Sequence, residues 1–460
     1  MIHKYRFQEL NIVLDVNSGA VHVVSDAASD LLDHWRPGLE FSPDAGHGFV
    51  EALPAALIRR HSRGALEDAF AEISVVIADG TLFSREARFA DDVLERRGAV
   101  IKAMCLHAAH DCNMRCVYCF GDGGSFGGVR SSLSEDTGRL AVDFLLEKSG
   151  ARKNLEIDFF GGEPLLNFEV IRRLVAYGRE REQQYGKNIR FTVTTNGLLL
   201  DEEKEAYINE HMDNVILSID GRPHVNDRMR KTPDGGGSYD LITDNYLRFG
   251  EKRKGSYYLR GTFTRENLDF SEDVKHLADM GFPAVSMEPV FADEACAYTL
   301  RDADIPAILL EYDRLADLCL AYAKAGKPFV FFHFNIDLEQ GPCAVKRVSG
   351  CGAGAEYVAV SPEGDIYPCH RFVGNAAFKI GNVRDGSFEN KLFDIFSRAH
   401  IYSKEACKRC WAKFYCGGGC HANAWLSGGS ILKPYELGCE MEKKRIDCAI
   451  GIRAALSEPG

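Results

Sequence analysis

The stretch CNMRCVYCF at 112–120 places three cysteines, Cys112, Cys116 and Cys119, on one short segment. Thiolates at this spacing can wrap one small metal unit from a single loop. A structural zinc ion would want four ligands. A [4Fe–4S] cluster held by three thiolates leaves one iron free to bind something else. A second group follows near the C-terminus: Cys351, Cys369, Cys407-x2-Cys410-x5-Cys416-x3-Cys420 and Cys439. The chain has 15 cysteines in all. An odd number in clustered spacing points to metal or cluster ligation and not to a disulfide framework. Cys105, Cys296, Cys319 and Cys448 are left over and read as small buried hydrophobes.

Elements must position these residues. Strand-like runs lie at 99–109, 155–160, 189–195, 214–219, 257–264 and 284–290, with helical runs between them. Ser134 is read as a helix N-cap, with Glu135 and Asp136 in the first turn. Asn167 and Ser271 are read as further caps. Six β-α repeats make a parallel sheet, doubly wound or curled into a barrel. Either form puts chemistry at the C-terminal ends of the strands. Residues 302–327 read as one long helix. From 341 onward glycines are many and periodicity is weak, so metal ligation would have to stabilise a segment poor in core. Residues 1–90 carry no cysteine. Their β-rich runs flank Asn17-Ser18-Gly19, a hairpin signal. Ser25 or Asp26 caps a helix with Leu31, Leu32 and Trp35 on its apolar side, closed by Pro37. Helical stretches follow near 48–60 and 63–75. This module is either a structural cap or a peptide-recognition element.

Composition narrows the class. The chain has 460 residues, 45% apolar and 27% charged, with a net charge of −12. That mild acidity argues against a general nucleic-acid grip. The basic runs at 251–255 and 442–448 read as solvated helix faces. No apolar run is long enough to span a membrane, and the first residues alternate like a strand with no signal-peptide h-region. A cytoplasmic location is expected.

Cys-x3-Cys-x2-Cys at the end of the first strand, with Tyr118 before the last cysteine, resembles the radical S-adenosylmethionine (SAM) enzymes. Companion motifs stand in order: Gly161-Gly162-Glu163-Pro164, Thr194-Thr195-Asn196-Gly197 and Ser218-Ile219-Asp220-Gly221 end the second, third and fourth strands. The resemblance implies that SAM chelates the open iron. It assigns the cofactor to Tyr118, Gly161, Gly162, Glu163, Pro164, Thr195, Asn196, Ser218, Asp220, Arg228, Arg230 and Glu288. The two glycines would let the backbone approach closely. Glu163 would accept from the cofactor's ammonium, unless it is merely a surface acid. Ser218 and Asn196 suit the ribose and carboxylate. Arg228 or Arg230 would pair with that carboxylate, and the segment around Glu288 would pack near the adenine. One electron into the cluster would yield a 5′-deoxyadenosyl radical that abstracts hydrogen from a C–H bond.

The later cysteines resemble the SPASM extension of peptide-modifying radical enzymes. The resemblance implies two auxiliary [4Fe–4S] clusters, three clusters in total. Cys351, Cys369 and Cys420 would hold the inner one, with Cys343 either its fourth ligand or absent from it, leaving room for a substrate thiolate. Cys407, Cys410, Cys416 and Cys439 would hold the outer one. His370 follows Cys369 where sulfatase-maturing relatives carry an Asp, and it is either a proton acceptor or a hydrogen-bond partner of cluster sulfur.

The whole chain looks most like the maturases of six-cysteine "SCIFF" peptides. The implied fold is α/β: a partial (β/α)6 TIM-type barrel with an N-terminal winged-helix-like peptide-recognition module and a C-terminal iron–sulfur SPASM domain. The implied domains are 1–90 for leader-peptide recognition, 91–300 for the barrel, 301–340 for a helical bridge and 341–460 for SPASM. The implied partners are a Cys-rich ribosomal precursor peptide, bound through its leader as an added strand, and a reductant such as flavodoxin or ferredoxin. No nucleic acid and no membrane are expected. The implied reaction joins a cysteine sulfur of the peptide to a carbon of another residue. Sulfatase maturation, epimerisation and carbon–carbon crosslinking are the alternatives of the same chemistry. A non-catalytic iron–sulfur electron carrier or binding protein is the alternative of another class, and a structural zinc protein is the remaining one.

Overall fold

The protein is described here from a computed structural model covering residues 1–35, 45–86, 100–338 and 348–457. Three antiparallel strands open the chain: β1 (Ile2–Phe7), β2 (Leu10–Asp15) and β3 (Val21–Val24), in the order β1-β2-β3. The expected hairpin turn forms because Gly19 takes a φ of 77° while the buried Asp15 carboxylate accepts from the Ser18 amide at 2.8 Å. The same carboxylate accepts from the Ser84 amide at 3.1 Å, tying the turn to the far end of the module. Ser25 is the cap of helix α1 (Asp26–Leu32), its hydroxyl accepting from the Ala28 amide at 3.1 Å. The segment read as one helix near 48–60 is two, α2 (Ala45–Glu51) and α3 (Ala55–Arg60). Pro54 stands between them and has no N–H with which to continue the first. Helix α4 (Arg63–Ala78) closes a small core around Leu31, Trp35, Leu66 and Phe70. Pro37 lies outside the described residues.

The central sheet is built from β4 (Ala103–His110), the short β5 (Ser131–Ser132) beside it, then β6 (Asn154–Gly161), β7 (Asn188–Thr195), β8 (Asn214–Ser218), β9 (Ser256–Phe263), β10 (Ala284–Pro289) and β11 (Val330–Phe331). Strands β4, β6, β7, β8, β9, β10 and β11 pair in chain order and all in parallel, which selects the barrel-type winding over the doubly wound one. Helices connect them, beginning with Glu135–Lys148, whose Ser134 cap accepts from the Thr137 amide at 3.2 Å. Two expected caps act otherwise. Asn167 takes the expected N-cap position of helix Phe168–Tyr185, but its side-chain amide donates to the carbonyls of Ala108 and Leu133, both at 2.9 Å, and makes no cap bond. Ser271 lies inside helix Phe270–Asp279, where its hydroxyl donates to Glu311 and Asp269 is the cap residue.

The C-terminal region does not stand apart. Its strand β12 (Tyr357–Val360) pairs in parallel with β4 at Ala103–Leu106. Strands β13 (Asp365–Tyr367), β14 (Gly381–Asn382) and β15 (Ser387–Phe388) carry the same sheet onward. The region expected to lack a core has an aromatic one, Phe372, Phe378 and Phe396 with Trp425 against it, shared with Cys105 and Phe126 of the barrel side. The final helix, Glu436–Ser457, packs on helix Ile305–Lys324, with the Arg445 guanidinium donating to Tyr312 Oη at 2.8 Å. Its Gly451 faces Phe7 of β1 so closely that a Cβ there would meet the ring at 2.3 Å. The end of the chain thereby touches barrel and N-terminal module alike. Among the described residues no helix is long and apolar enough to cross a membrane.

Candidate functional site

The loop after β4 carries Cys112, Cys116 and Cys119 onto the wall of a cavity of about 230 Å3 at the C-terminal ends of the strands. Two backbone bonds fix the loop: the Arg115 amide donates to the Lys231 carbonyl at 2.7 Å, and the Val117 amide to the Met229 carbonyl at 2.8 Å. That pairing sets Arg230 against the cysteine loop, its guanidinium 5.7 Å from the Tyr118 ring centre. Arg230 is buried and bonds Asp220 at 3.0 Å.

Glu163 is fully buried on the same wall. Its Oε1 accepts from the Leu165 amide at 3.0 Å and Thr195 Oγ1 at 2.8 Å, and its Oε2 from the Asn196 amide at 2.8 Å. Oε2 therefore keeps acceptor capacity toward the cavity. Burial pushes the carboxyl up to about 7 against those hydrogen bonds. An ammonium beside it would reverse that shift. Asn196 donates to Asn113 Oδ1 at 2.8 Å and lies 3.6 Å from the Cys112 sulfur. Ser218, Glu288, Pro289 and Val290 line the cavity as strand-end residues. Glu288 is paired to His333 at 3.3 Å and more loosely to Arg260 at 3.8 Å.

Several expected cofactor residues are placed differently. Arg228 points to solvent and pairs with Glu266 at 3.0 Å, which leaves Arg230 as the arginine of that pair on the cavity. Asp220 does not reach the wall; its carboxylate accepts from Tyr118 Oη, Arg230 and the Thr262 amide, and so orients the neighbours that do. Pro164 starts the turn after Glu163 and is buried away from the cavity. Gly161 and Gly162 are demanded by the protein's own backbone. A Cβ at Gly161 (φ 126°) would lie 2.3 Å from the Ala109 carbonyl oxygen, and one at Gly162 2.1 Å from that of Asp111. The motif lets β6 close against the end of β4, which is what sets Glu163 beside Cys112.

The far wall comes from the C-terminal region. His370 and Arg371, directly after Cys369, face the same cavity, with Phe120, Phe126, Phe160 and Phe291 around them. His370 Nδ1 meets Tyr357 Oη at 3.2 Å. Burial, with Arg260 and Arg371 nearby, pushes the imidazole down to about 3, so it is neutral at neutral pH. Arg260 and Thr262 end β9 and could have been suspected from that position; Phe291, Phe126 and Arg371 carried no local signal.

A second cavity of about 940 Å3 shares Phe120, Phe291 and Arg371 with the first, and a third of about 1150 Å3 shares Asp302 and Leu437 with the second. Cys407, Cys410, Cys416 and Cys439 all line the third. Cys351, Cys369 and Cys420 stand close enough that the charge of one acts on another. Lys404, almost fully buried, lies near Cys420 and near the third cavity's thiols, and donates to the Gly418 carbonyl at 2.6 Å. Cys343 lies outside the described residues. Of the spare cysteines, Cys105 and Cys448 are buried, while Cys296 and Cys319 are partly exposed.

These donors fit iron–sulfur clusters and SAM. All ten described ligand candidates are thiols, the ligand type of such clusters. Glu163 offers the acceptor and Arg230 the cation that an aminocarboxylate needs.

Residues 98–242 match the 4Fe-4S single cluster domain family, and residues 351–411 match SPASM, an iron–sulfur cluster-binding domain. The cysteine-type anaerobic sulfatase-maturating enzyme of Clostridium novyi is 24% identical over 338 residues, 69% of this chain and 86% of that protein. The structure of anSMEcpe with bound AdoMet is similar at a TM-score of 0.64 and 21% identity, covering 78% of this chain and 96% of that one. Streptococcus suis SuiB bound to precursor peptide SuiA is similar at a TM-score of 0.51 and 15% identity, covering 95% of this chain and 98% of that one. The chain thus carries a segment similar to a 4Fe-4S single cluster domain and one similar to the SPASM iron–sulfur cluster-binding domain, on the fold of these solved structures.

Proposed function

We propose that this protein is a radical SAM peptide maturase that forms intramolecular thioether crosslinks in a Cys-rich ribosomal precursor peptide. One observation carries the reading: the cavity bearing Cys112, Cys116, Cys119 and Glu163 is walled on its other side by His370 and Arg371, next to Cys369. A substrate held there would meet the radical-generating centre and the auxiliary-cluster region at once. The relatives that act on a sulfatase or bind a precursor peptide support a peptide or protein substrate.

Bound SAM supplies a carbon-centred radical that takes hydrogen from a C–H bond. The chain's residues do the rest. Cys112, Cys116 and Cys119 hold the first cluster, and Glu163, Asn196, Ser218 and Arg230 orient the cofactor. Phe120, Phe126 and Phe160 keep water from the reacting space. His370 Nε2 has no protein partner among the described residues and can accept a hydrogen bond from a substrate thiol in this space. Cys351, Cys369 and Cys420, with or without Cys343, would hold the inner auxiliary cluster, and Cys407, Cys410, Cys416 and Cys439 the outer one; such clusters would supply a one-electron acceptor. Forming one C–S bond removes two hydrogens from the peptide. The N-terminal module binds the leader by strand addition at β3, which pairs only with β2 among the described residues. A flavodoxin or ferredoxin of the cytoplasm supplies the electrons.

The test is anaerobic turnover of the reconstituted protein with SAM, reductant and a Cys-rich precursor peptide. The expected product is lighter by two hydrogens per bridge and has lost one free thiol for each. A product of unchanged mass with SAM consumed would mean epimerisation, and loss of two hydrogens with every thiol retained would mean a carbon–carbon bond. No SAM consumption would return the chain to a plain iron–sulfur protein.

A further inference from the structure

The first cavity has two poles. Near the cysteine loop, positive charge is answered: Arg230 bonds Asp220 at 3.0 Å and stands by Cys116. At the other end it is answered less fully. Arg371 has no carboxylate or carbonyl hydrogen-bond partner among the described residues, only the Cys369 and Cys420 sulfurs nearby. Its guanidinium lies 5.0 Å from the Phe120 ring centre and 5.6 Å from that of Phe291. Among the described residues Arg260 has one ion pair, with Glu288 at 3.8 Å, which His333 shares at 3.3 Å, and Asp158 lies close enough for its charge to act. Both guanidinium groups face the cavity beside His370. Two guanidinium groups converging on one partly enclosed cavity, with a single carboxylate divided between Arg260 and His333, favour an anion in that space. Aromatic contact holds the guanidinium by its flat surface and leaves its edge donors available, the geometry that suits a planar carboxylate.

We propose that Arg260 and Arg371 form an anion subsite that holds an Asp or Glu side chain of the substrate peptide, close in sequence to the residue that reacts. The inference rests on the peptide substrate put forward above. The cofactor's own carboxylate would be the other anion in this space, and Arg230, beside Cys116, is the arginine that would take it. Arg371 belongs to the opposite side, next to Cys369 and Cys420. The subsite also borders the second cavity, since Arg371 lines both. It therefore reads a side chain at the point where a peptide would pass from one space to the other.

The experiment uses the cluster-reconstituted, SAM-loaded full chain, immobilised without oxygen, to select from a displayed library of short peptides with one fixed cysteine and randomised neighbours. The wild type is expected to enrich Asp and Glu over Asn and Gln about tenfold, the worth of one charge-assisted hydrogen bond. Arg371→Gln and Arg260→Gln are each expected to lose that bias while keeping iron content and SAM affinity, and Arg371→Glu to turn it toward Lys and Arg. If Arg371→Gln loses iron, Arg260→Gln decides the matter, because it lies on a strand away from the cysteines. No acidic enrichment by the wild type, or the same enrichment in the Gln variants, would overturn the subsite. So would weaker SAM binding in the variants with an unchanged peptide bias, which would give the arginines to the cofactor. If selected acidic peptides bind but emerge from turnover without loss of hydrogen, the thioether reading fails and the subsite stands.

Discussion

Two cavities of this molecule are lined by cysteine sets built on opposite plans. Cys112, Cys116 and Cys119 come from one loop and share about 230 Å3 with a buried carboxylate, three arginines and a ring of phenylalanines. Cys407, Cys410, Cys416 and Cys439 come from helix Glu405–Lys408 and the residues after it, helix Lys413–Cys416 and helix Glu436–Ser457, and share about 1150 Å3 mainly with a charged rim. Four thiols complete a cluster's ligand shell, so the larger cavity is equipped to hold a cluster and pass electrons. Three thiols leave one iron open, and the Glu163 Oε2 acceptor and the guanidinium groups on the same wall stand ready to bind a ligand. The contrast teaches that missing a ligand and being surrounded by unspent donors and acceptors go together, and that this combination marks the reactive site.

The comparison can be broken most directly by serine substitution. Cys112→Ser should remove about four irons per chain and abolish 5′-deoxyadenosine formation under a strong reductant. Cys410→Ser should cost the same iron yet leave peptide-free 5′-deoxyadenosine formation standing. Iron counts and product chromatography check both, and equal loss of cofactor cleavage in the two variants would erase the distinction between the cavities. Next in size is Arg230→Gln. It strands the Asp220 carboxylate, which is fully buried, and should destabilise the reconstituted protein by about 3–5 kcal/mol, visible as a lowered denaturant midpoint.

A smaller effect concerns the barrel interior beneath the first cavity. Burial, with Glu156 beside it, raises Asp158 to about 7. The folded chain holds that proton where the unfolded chain, titrating near the ordinary value of about 4, has lost it. The contribution of Asp158 is therefore fully present below about pH 4 and is lost as pH rises toward 7, with a slope of at most about 1.4 kcal/mol per pH unit. Asp158→Asn should flatten that slope in melts of the SAM-free protein at pH 5, 6 and 7. The smallest effect is expected from Arg228→Gln. Its exposed pair with Glu266 should be worth no more than about 0.5 kcal/mol, and SAM affinity should not change. A loss of SAM affinity there would put Arg228, not Arg230, on the cofactor.

Much of the first site could be read before any coordinates. The spacing of three thiols lies within one loop, and each strand-end motif lies within four residues, so local pattern was enough to place them at one end of a parallel sheet. The outer cysteine set was legible by spacing only in part, since Cys439 joins it through a helix that begins twenty residues after Cys416 and its neighbours. The glycines of the second motif line the cavity as expected, and they also admit the backbone at Ala109 and Asp111, a need that only the fold shows. The C-terminal region was judged poor in core because its phenylalanines follow no regular period; Phe372, Phe378 and Phe396 meet only when the chain folds back onto β4.

What the sequence determined by itself is the chemistry of the ligands and the order of the strands, because ligand type, spacing and alternation are properties of neighbouring residues. Tertiary structure alone decided which arginine faces the cavity, why Asp220 serves Tyr118 and Arg230, and that His370 and Arg371 close the space opened by Cys112. Arg228 and Arg230 are two residues apart in one sequence context, and only the backbone bonds from Arg115 and Val117 to Lys231 and Met229 separate them. Contacts of that kind join segments far apart in the chain, and their partners are fixed by packing and not by any pattern that either segment carries alone.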